Sequence, residues 1–252
     1  MGNGVLVTGG AKRIGRAICL QLARDGKPIA VQYNNSELEA QSLVEEIGSL
    51  GGIAARLQCD LSNFESTSNL FGDAVARIGP ITGLVNNASQ FVYDDISNFD
   101  ALSWKSHMDV NARAPLILTR SLFESVHDGE TGSVVNILDQ KLASPNPDHI
   151  SYTASKFALA GITEALSRGL APIIRVNAVS PGHTLPSNDQ SRIGFERAQS
   201  ETPLGFGPSP EQIADSVSFL MRAHSITGQV IYVDSGERFL NRARDVFFET
   251  EE

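Results

Sequence analysis

The sequence predicts a single-domain α/β protein: a doubly wound, seven-stranded parallel sheet flanked by helices. Two observations carry that prediction. Short runs rich in β-branched residues alternate, from the first residues onward, with longer segments whose apolar positions recur about every 3.6 residues. In addition, no linker, internal repeat or low-complexity tract divides the 252 residues, a length that suits one core buried on both faces of a sheet.

Taken in order, the strands are expected near Gly4 to Val7, Pro28 to Tyr33, Ile53 to Gln58, Gly83 to Asn86, Ser133 to Leu138, Ile174 to Val179 and Val230 to Val233, with amphipathic helices between them. The stretch from Pro181 to Pro210 is rich in Pro, Gly and polar residues around one short helical pattern. It reads as an excursion over an active site, with a substrate loop at about 183–208. The domain is expected to span residues 1–241. The remainder, 242–252, mixes Val246, Phe247 and Phe248 with an acidic end and reads as a frayed tail or a subunit contact.

Composition excludes several classes of function. With 20 Lys and Arg against 29 Asp and Glu, the chain has a formal net charge of -9, which opposes general binding to a phosphate backbone, so no nucleic-acid partner is expected. No apolar run reaches the roughly 20 residues needed to cross a bilayer, and no cleavable leader precedes the first strand, so no membrane partner and a cytoplasmic location are expected. Cys19 and Cys59 have neither CxxC spacing nor clustered histidines and read as small buried residues; no metal site is expected.

After the first strand comes Thr8-Gly9-Gly10-Ala11-Lys12-Arg13-Ile14-Gly15, opening a helix. Glycines in such a turn let the backbone approach a pyrophosphate, whose charge the helix N-terminus stabilises. The second strand ends in Tyr33-Asn34-Asn35-Ser36, where an NAD enzyme ordinarily carries an acid that accepts from the ribose hydroxyls. The missing acid favours NADP: Asn34, Asn35 and Ser36 can donate to a 2'-phosphate, with Lys12 or Arg13 supplying positive charge. Ser36 reads equally as a plain helix N-cap. Asp60 and Leu61 follow the third strand, and Asn87, Ala88 and Ser89 the fourth, at the strand ends where an open α/β sheet gathers its ligand.

Tyr152 and Lys156 stand four apart at the start of a helix and so project from one face. A neighbouring ammonium is expected to lower the phenol pKa and make Tyr152 a usable general acid. Lys156 is also placed to hold the nicotinamide ribose. His149 lies just ahead of Tyr152 and His183 just after Pro181-Gly182, and both read as pocket-lining without a catalytic role; Asp94 and Asp95 follow Phe91 and read as solvated loop residues.

The chain resembles the short-chain dehydrogenase/reductase family through Thr8-Gly9...Gly15, Asp60, Asn86-Asn87-Ala88, Asn111, Tyr152...Lys156 and Pro181-Gly182, in their usual order and over nearly its whole length. The resemblance implies a Rossmann-type sheet, a tetramer or dimer, NADPH or NADP as cofactor, and a catalytic set of Asn, Ser, Tyr and Lys, with Asn111 holding a water that links Lys156 to solvent. It adds Ile14, Lys156, Pro181 and Gly182 to the residues expected to hold the cofactor. Two positions depart from the common pattern. Arg13 replaces the middle glycine of the loop, and Asp139, thirteen residues before Tyr152, replaces the serine. An aspartate carboxylate cannot donate to a ketone oxygen and opposes the negative charge that develops there; it suits a substrate that presents N–H groups or takes up a proton at a ring nitrogen.

Both departures match the pteridine reductases and bacterial dihydromonapterin reductases, which the chain resembles in Gly9 to Gly15, in Asn86 to Phe91 and in Asp139...Tyr152...Lys156. That resemblance implies that Phe91 stacks on a pterin and that Arg13 touches both phosphate and substrate, with Ser89, Asp139 and Tyr152 completing the substrate site. The subgroup commonly has a basic residue where this chain has Asn35. The expected function is NADPH-dependent reduction of a dihydropterin-like nitrogen heterocycle, with Asp139, Tyr152, Lys156 and Asn111 as the catalytic group. Two alternatives stay open: an NADPH-dependent reductase of a ketone or 3-oxoacyl thioester, with Asp139 protonated in use, and a non-catalytic NADP-binding sensor.

Overall fold

Strands with helices on either side form a seven-stranded, all-parallel sheet in the order β3-β2-β1-β4-β5-β6-β7, most deeply buried at its centre. The structure is a computed structural model that describes residues 3–127, 129–187 and 190–250. In chain order the elements are β1 (Gly4–Val7), α1 (Arg13–Arg24), β2 (Ile29–Tyr33), α2 (Glu37–Ser49), β3 (Ala54–Gln58), α3 (Phe64–Ile78), β4 (Ile81–Asn86) and α4 (Ala101–Met108). A π-helical turn, Asp109–Arg113, leads into α5 (Ala114–Ser125), followed by β5 (Gly132–Ile137), a 3-10 turn at Gln140–Ala143 and α6 (Ile150–Gly169). The chain ends with β6 (Ile174–Pro181), α7 (Arg192–Ser200), α8 (Pro210–Arg222), β7 (Val230–Val233), a 3-10 turn at Glu237–Phe239 and α9 (Val246–Thr250).

Alternation along the strands sorts the core into two layers. Val5 and Val7 of β1 point to one face with Ile29 and Val31, where Ile18 and Leu22 of α1, Leu43 and Ile47 of α2, and Ile213 and Val217 of α8 cover them. Leu6, Ala30, Leu84 and Val134 point to the other face, against Leu70 and Phe71 of α3 and Leu118 and Leu122 of α5. Helix starts follow their sequence signals. Asn63 caps α3 by accepting from Ser66 N, Asp100 caps α4, and Ser209 with Gln212 forms a capping box ahead of α8 with Pro210 in its first turn.

All seven expected strands are present, β1 and β7 with the expected bounds and the others with ends displaced by one or two residues. β2 starts at Ile29 because Pro28 has no N–H for the ladder; its carbonyl still accepts from Val5 N at 2.9 Å. The expected loop at 183–208 contains α7, while residues 188 and 189 lie outside the described residues, as do 1, 2, 251 and 252 at the domain and tail ends. The tail, expected as frayed or as a subunit contact, is not frayed. Arg244 Nε and Nη2 grip the carboxylate of Asp148, Asp245 N donates to the same group at 2.7 Å, Arg242 pairs with Glu201 and Glu249, and Phe248 packs edge-on to Tyr93 at 5.3 Å. These charge-assisted bonds fold α9 back onto its own chain beside the carboxyl ends of the strands.

Ile18 is fully buried between the sheet and the outer helices, so Ile18→Ala is expected to lower the unfolding free energy by about 2–5 kcal/mol in a urea titration.

Candidate active site

A continuous cleft of about 1090 Å³ runs along the carboxyl edge of the sheet, where β1 and β4 lie side by side and the strand order changes direction. Its wall brings together Gly9, Arg13, Ile14 and Gly15 after β1, Tyr33 to Ser36 after β2, and Asp60 and Leu61 after β3. Beyond β4 it takes in Asn87, Ala88, Ser89 and Phe91; then come Asp139, Tyr152 and Lys156, and finally Pro181 and Gly182 at the end of β6. Asn111 does not line it and is fully buried behind it.

The first end of the cleft is built to take an anion. Gly9 has φ +60°, and a Cβ on it would come within 2.9 Å of Ala88 Cα; a Cβ on Gly15 would come within 2.2 Å of Gly9 O. Only glycine permits this approach of loop, helix and β4. The α1 N-cap, Lys12, makes no side-chain capping bond, and the first turn carries no acid, so its N–H groups face the cleft end without a capping carboxylate. Thr8 Oγ1 accepts from Asn87 N and Ala88 N at 3.0 Å, and Asn87 Nδ2 donates to Thr8 O and Gly9 O, tying the loop after β1 to that after β4. After β2, Asn34 and Asn35 are exposed and Ser36 makes no capping bond. The nearby acids of α2 are each paired, Glu37 with Arg56 at 2.9 Å and Glu39 with Lys12 at 3.0 Å. Tyr33 is buried, its hydroxyl accepting from Arg56. A nucleotide carrying a pyrophosphate and a further phosphate fits this end: backbone N–H groups for the first, and exposed amide and hydroxyl donors for the second.

Arg13 has φ 54°, the left-handed backbone that the common glycine would adopt without strain. Its guanidinium donates to Pro186 O at 3.0 Å and Leu185 O at 3.4 Å, bridging the loop after β1 to the loop after β6.

At the other end, Tyr152 Oη donates to Asp139 Oδ2 at 2.6 Å, while Asp139 Oδ1 accepts from Lys141 N at 2.8 Å. Phe91 stands edge-to-face with Tyr152, centroids 4.7 Å apart at 87°, and stacks on His149 at 4.3 Å and 20°. With one face on His149, the Phe91 ring is still 49% exposed. Lys156 Nζ donates to Ile137 O at 2.8 Å and lies 5.6 Å from the Tyr152 ring centroid.

Two expectations change here. The Tyr152 hydroxyl lies well above the ordinary phenol range, because burial and then the charge and hydrogen bond of Asp139 disfavour the phenolate. Lys156 is itself brought down to about 8 by burial, and Asp139 offsets this only partly. Asp139 and burial thus outweigh the ammonium, and the Tyr152 phenol keeps its proton. Asn111 sits in the π-helical turn, donates to Gln90 O and Ser155 Oγ at 2.9 Å, and accepts from Gln90 N at 2.7 Å. Its direct contacts therefore brace the segment after β4 against α6, where the family resemblance implies a water link to Lys156.

Sequence reasoning passed over three residues of the wall. Gln32 accepts from Gly9 N and donates to Cys59 O, both at 2.7 Å; a polar residue inside an otherwise apolar strand was its only signal. Lys141, 6% exposed, donates to Asp148 O at 2.7 Å and pairs with Asp245 at 3.4 Å. Glu237 accepts from His183 N at 2.7 Å, while its Oε1 is buried without a partner among the described residues. Among the described residues no cluster of His, Cys, Asp and Glu is arranged to hold a metal, and no helix is long and apolar enough to cross a membrane.

Burial, reinforced by Asp139, raises Glu237 from the ordinary 4.5 to about 7 against the His183 N–H bond. A raised folded-state pKa contributes stability below pH 4.5 that is lost as pH rises through 7. Glu237→Gln is expected to remove that loss, on the order of 3 kcal/mol by proton linkage, seen as a flatter stability profile across this window in urea titrations at stepped pH.

Comparison with known proteins agrees with this geometry. The short chain dehydrogenase family matches residues 3–194. FolM alternative dihydrofolate reductase 1 from Brucella canis, in a crystal structure complexed with NADP, is 41% identical, with a TM-score of 0.88 over 94% of each chain. An uncharacterized oxidoreductase of Methylorubrum extorquens is 35% identical over 94% of this chain and 98% of its own length. The 3-oxoacyl-[acyl-carrier-protein] reductase FabG of Staphylococcus epidermidis is 30% identical over 94% of this chain and 99% of its own. Matched along most of its length and built around Tyr152 and Lys156 over a parallel sheet, the chain is an oxidoreductase that belongs to the short chain dehydrogenase family.

Proposed function

We propose that this oxidoreductase uses NADPH to reduce a C=N bond in a dihydropterin or a similar nitrogen heterocycle. The observation that carries the reading is the Tyr152 to Asp139 hydrogen bond beside the half-open face of Phe91. A carboxylate beside the proton donor favours a ring that presents N–H groups, and an exposed aromatic face favours a flat one. The Brucella canis FolM likeness supports both the substrate class and the cofactor; the glycine cradle suits the pyrophosphate, and exposed Asn34 and Asn35 in place of an acid favour NADP, although Lys12 is paired with Glu39.

When bound, NADPH supplies the hydride for the ring carbon. The loops after β1 and β4, tied through Thr8 and Asn87, hold the phosphate end in place. Phe91, backed by His149, gives the ring one wall. Tyr152 gives up its hydroxyl proton to the neighbouring nitrogen, turning its donated bond from Asp139 to the substrate, and Lys156 stabilises the oxygen left behind. Asp139, held by Lys141 N, accepts an N–H of the ring or relays the next proton to Tyr152.

The test is NADPH oxidation by the purified protein with a panel of dihydropterins and dihydrofolate beside simple ketones and a 3-oxoacyl thioester. Turnover confined to ketones would sink the proposal and favour the second reading, a carbonyl reductase, which the FabG likeness supports. Asp139→Ser is expected to abolish most pterin turnover; a carbonyl reductase should instead gain ketone activity. Tyr152→Phe is expected to cost about 10²-fold or more in kcat while NADPH binding persists. A non-catalytic sensor would show no turnover to lose.

A further inference from the structure

The start of the catalytic helix depends on a residue that the catalytic set leaves out. His149, the N-cap of α6, has φ 54° and offers no side-chain bond to the first turn. The N–H groups of that turn must therefore find partners elsewhere. Asp94 supplies them from the segment between β4 and α4, and it is only 2% exposed, although a loop acid is expected to be solvated. Its carboxylate accepts from Ser151 N at 3.1 and 3.3 Å and also from the Ser151 hydroxyl, and its carbonyl accepts from Ile150 N at 3.3 Å. Negative charge there also suits the positive end of the helix.

The same segment is laid along the helix start by further contacts. Val92 O lies 3.4 Å from His149 Nδ1, and Val92 N donates to the buried His107 Nε2 at 3.2 Å. Phe91, three residues before Asp94, stacks on His149 and meets Tyr152 at a right angle. Asp94 thus bonds to the residue next to Tyr152 while belonging to the segment that carries Phe91.

We propose that Asp94 is a positioning residue: by clasping the Phe91 segment to the start of α6, it sets the right-angled pair of aromatic wall and hydroxyl donor into which a flat substrate fits. It touches no reacting atom. The proposal rests on Tyr152 as proton donor and Phe91 as wall, and a small displacement of either spoils the reacting geometry. The cofactor end is tied earlier in the same segment, where Asn87 and Ala88 bond to Thr8, and does not depend on the clasp.

The test uses the full-length protein and its Asp94→Ala, Asp94→Asn and Ser151→Ala variants. NADPH affinity is measured by fluorescence titration, stability by thermal melting, and kcat and KM with a dihydropterin and a ketone in parallel. Asp94→Ala is expected to keep its NADPH affinity within about twofold, while kcat falls and KM rises by about tenfold or more. Asp94→Asn, which retains an acceptor for Ser151 N, recovers part of that loss, and Ser151→Ala loses less than Asp94→Ala. A lower melting point with unchanged kcat and KM would make Asp94 only a helix cap and overturn the proposal, as would a parallel loss of NADPH affinity. If the wild type reduces ketones alone, the pterin reading fails, and the clasp stands or falls on the ketone constants. A crystal structure of Asp94→Ala decides independently of turnover: Phe91 leaves its edge-on contact with Tyr152, and an unmoved ring overturns the proposal.

Discussion

The chemistry proposed for this site turns on one short hydrogen bond, the 2.6 Å contact from Tyr152 Oη to Asp139 Oδ2. A phenol buried beside a carboxylate keeps its proton, because the phenolate would face a second negative charge in a poorly solvated place. A serine hydroxyl in the Asp139 position would donate to a carbonyl; a carboxylate reverses the polarity of that wall and accepts. Lys141 N fixes the other carboxylate oxygen, Lys156 stands beneath the ring with its own charge weakened by burial, and Phe91 leaves a flat face beside the donor.

The sheet makes this concentration of groups possible. Parallel strands send all their carboxyl ends to one edge, so residues from the ends of β1, β2, β3, β4, β5 and β6 meet there without a second domain. Glycine at positions 9 and 15 lets the first loop press against β4, which draws the anion cradle and the Asn87 to Phe91 segment into one cleft. At the Tyr152 end of the cleft, the ion pairs of Arg244 with Asp148 and Lys141 with Asp245 bring α9 against the same wall.

Much of this was legible in the sequence because it rests on local signals. Strand runs, the Gly-rich turn, the Tyr152 and Lys156 spacing and the aspartate at 139 each carry their meaning within a few residues. What was hidden depends on residues distant in the chain. Asp94 reads as a solvated loop acid until Ser151, fifty-seven positions later, is seen to bond to it. The tail reads as frayed until Asp148 and Lys141 are placed beside it. The protonation of the phenol is hidden for a related reason: the i to i+4 lysine is visible from spacing alone, whereas the opposing carboxylate and the depth of burial belong to the fold.

Arg13 holds a left-handed backbone in which a side chain costs roughly 1–2 kcal/mol. Glycine at that position would relieve the strain, yet it would remove the guanidinium that bridges to Pro186 and Leu185 across the cleft. Selection for a sturdier protein and selection for this site therefore pull in opposite directions at a single codon. Random libraries screened for heat resistance would be drawn to the glycine, and survivors carrying it would be the ones to re-examine for a loosened loop after β6.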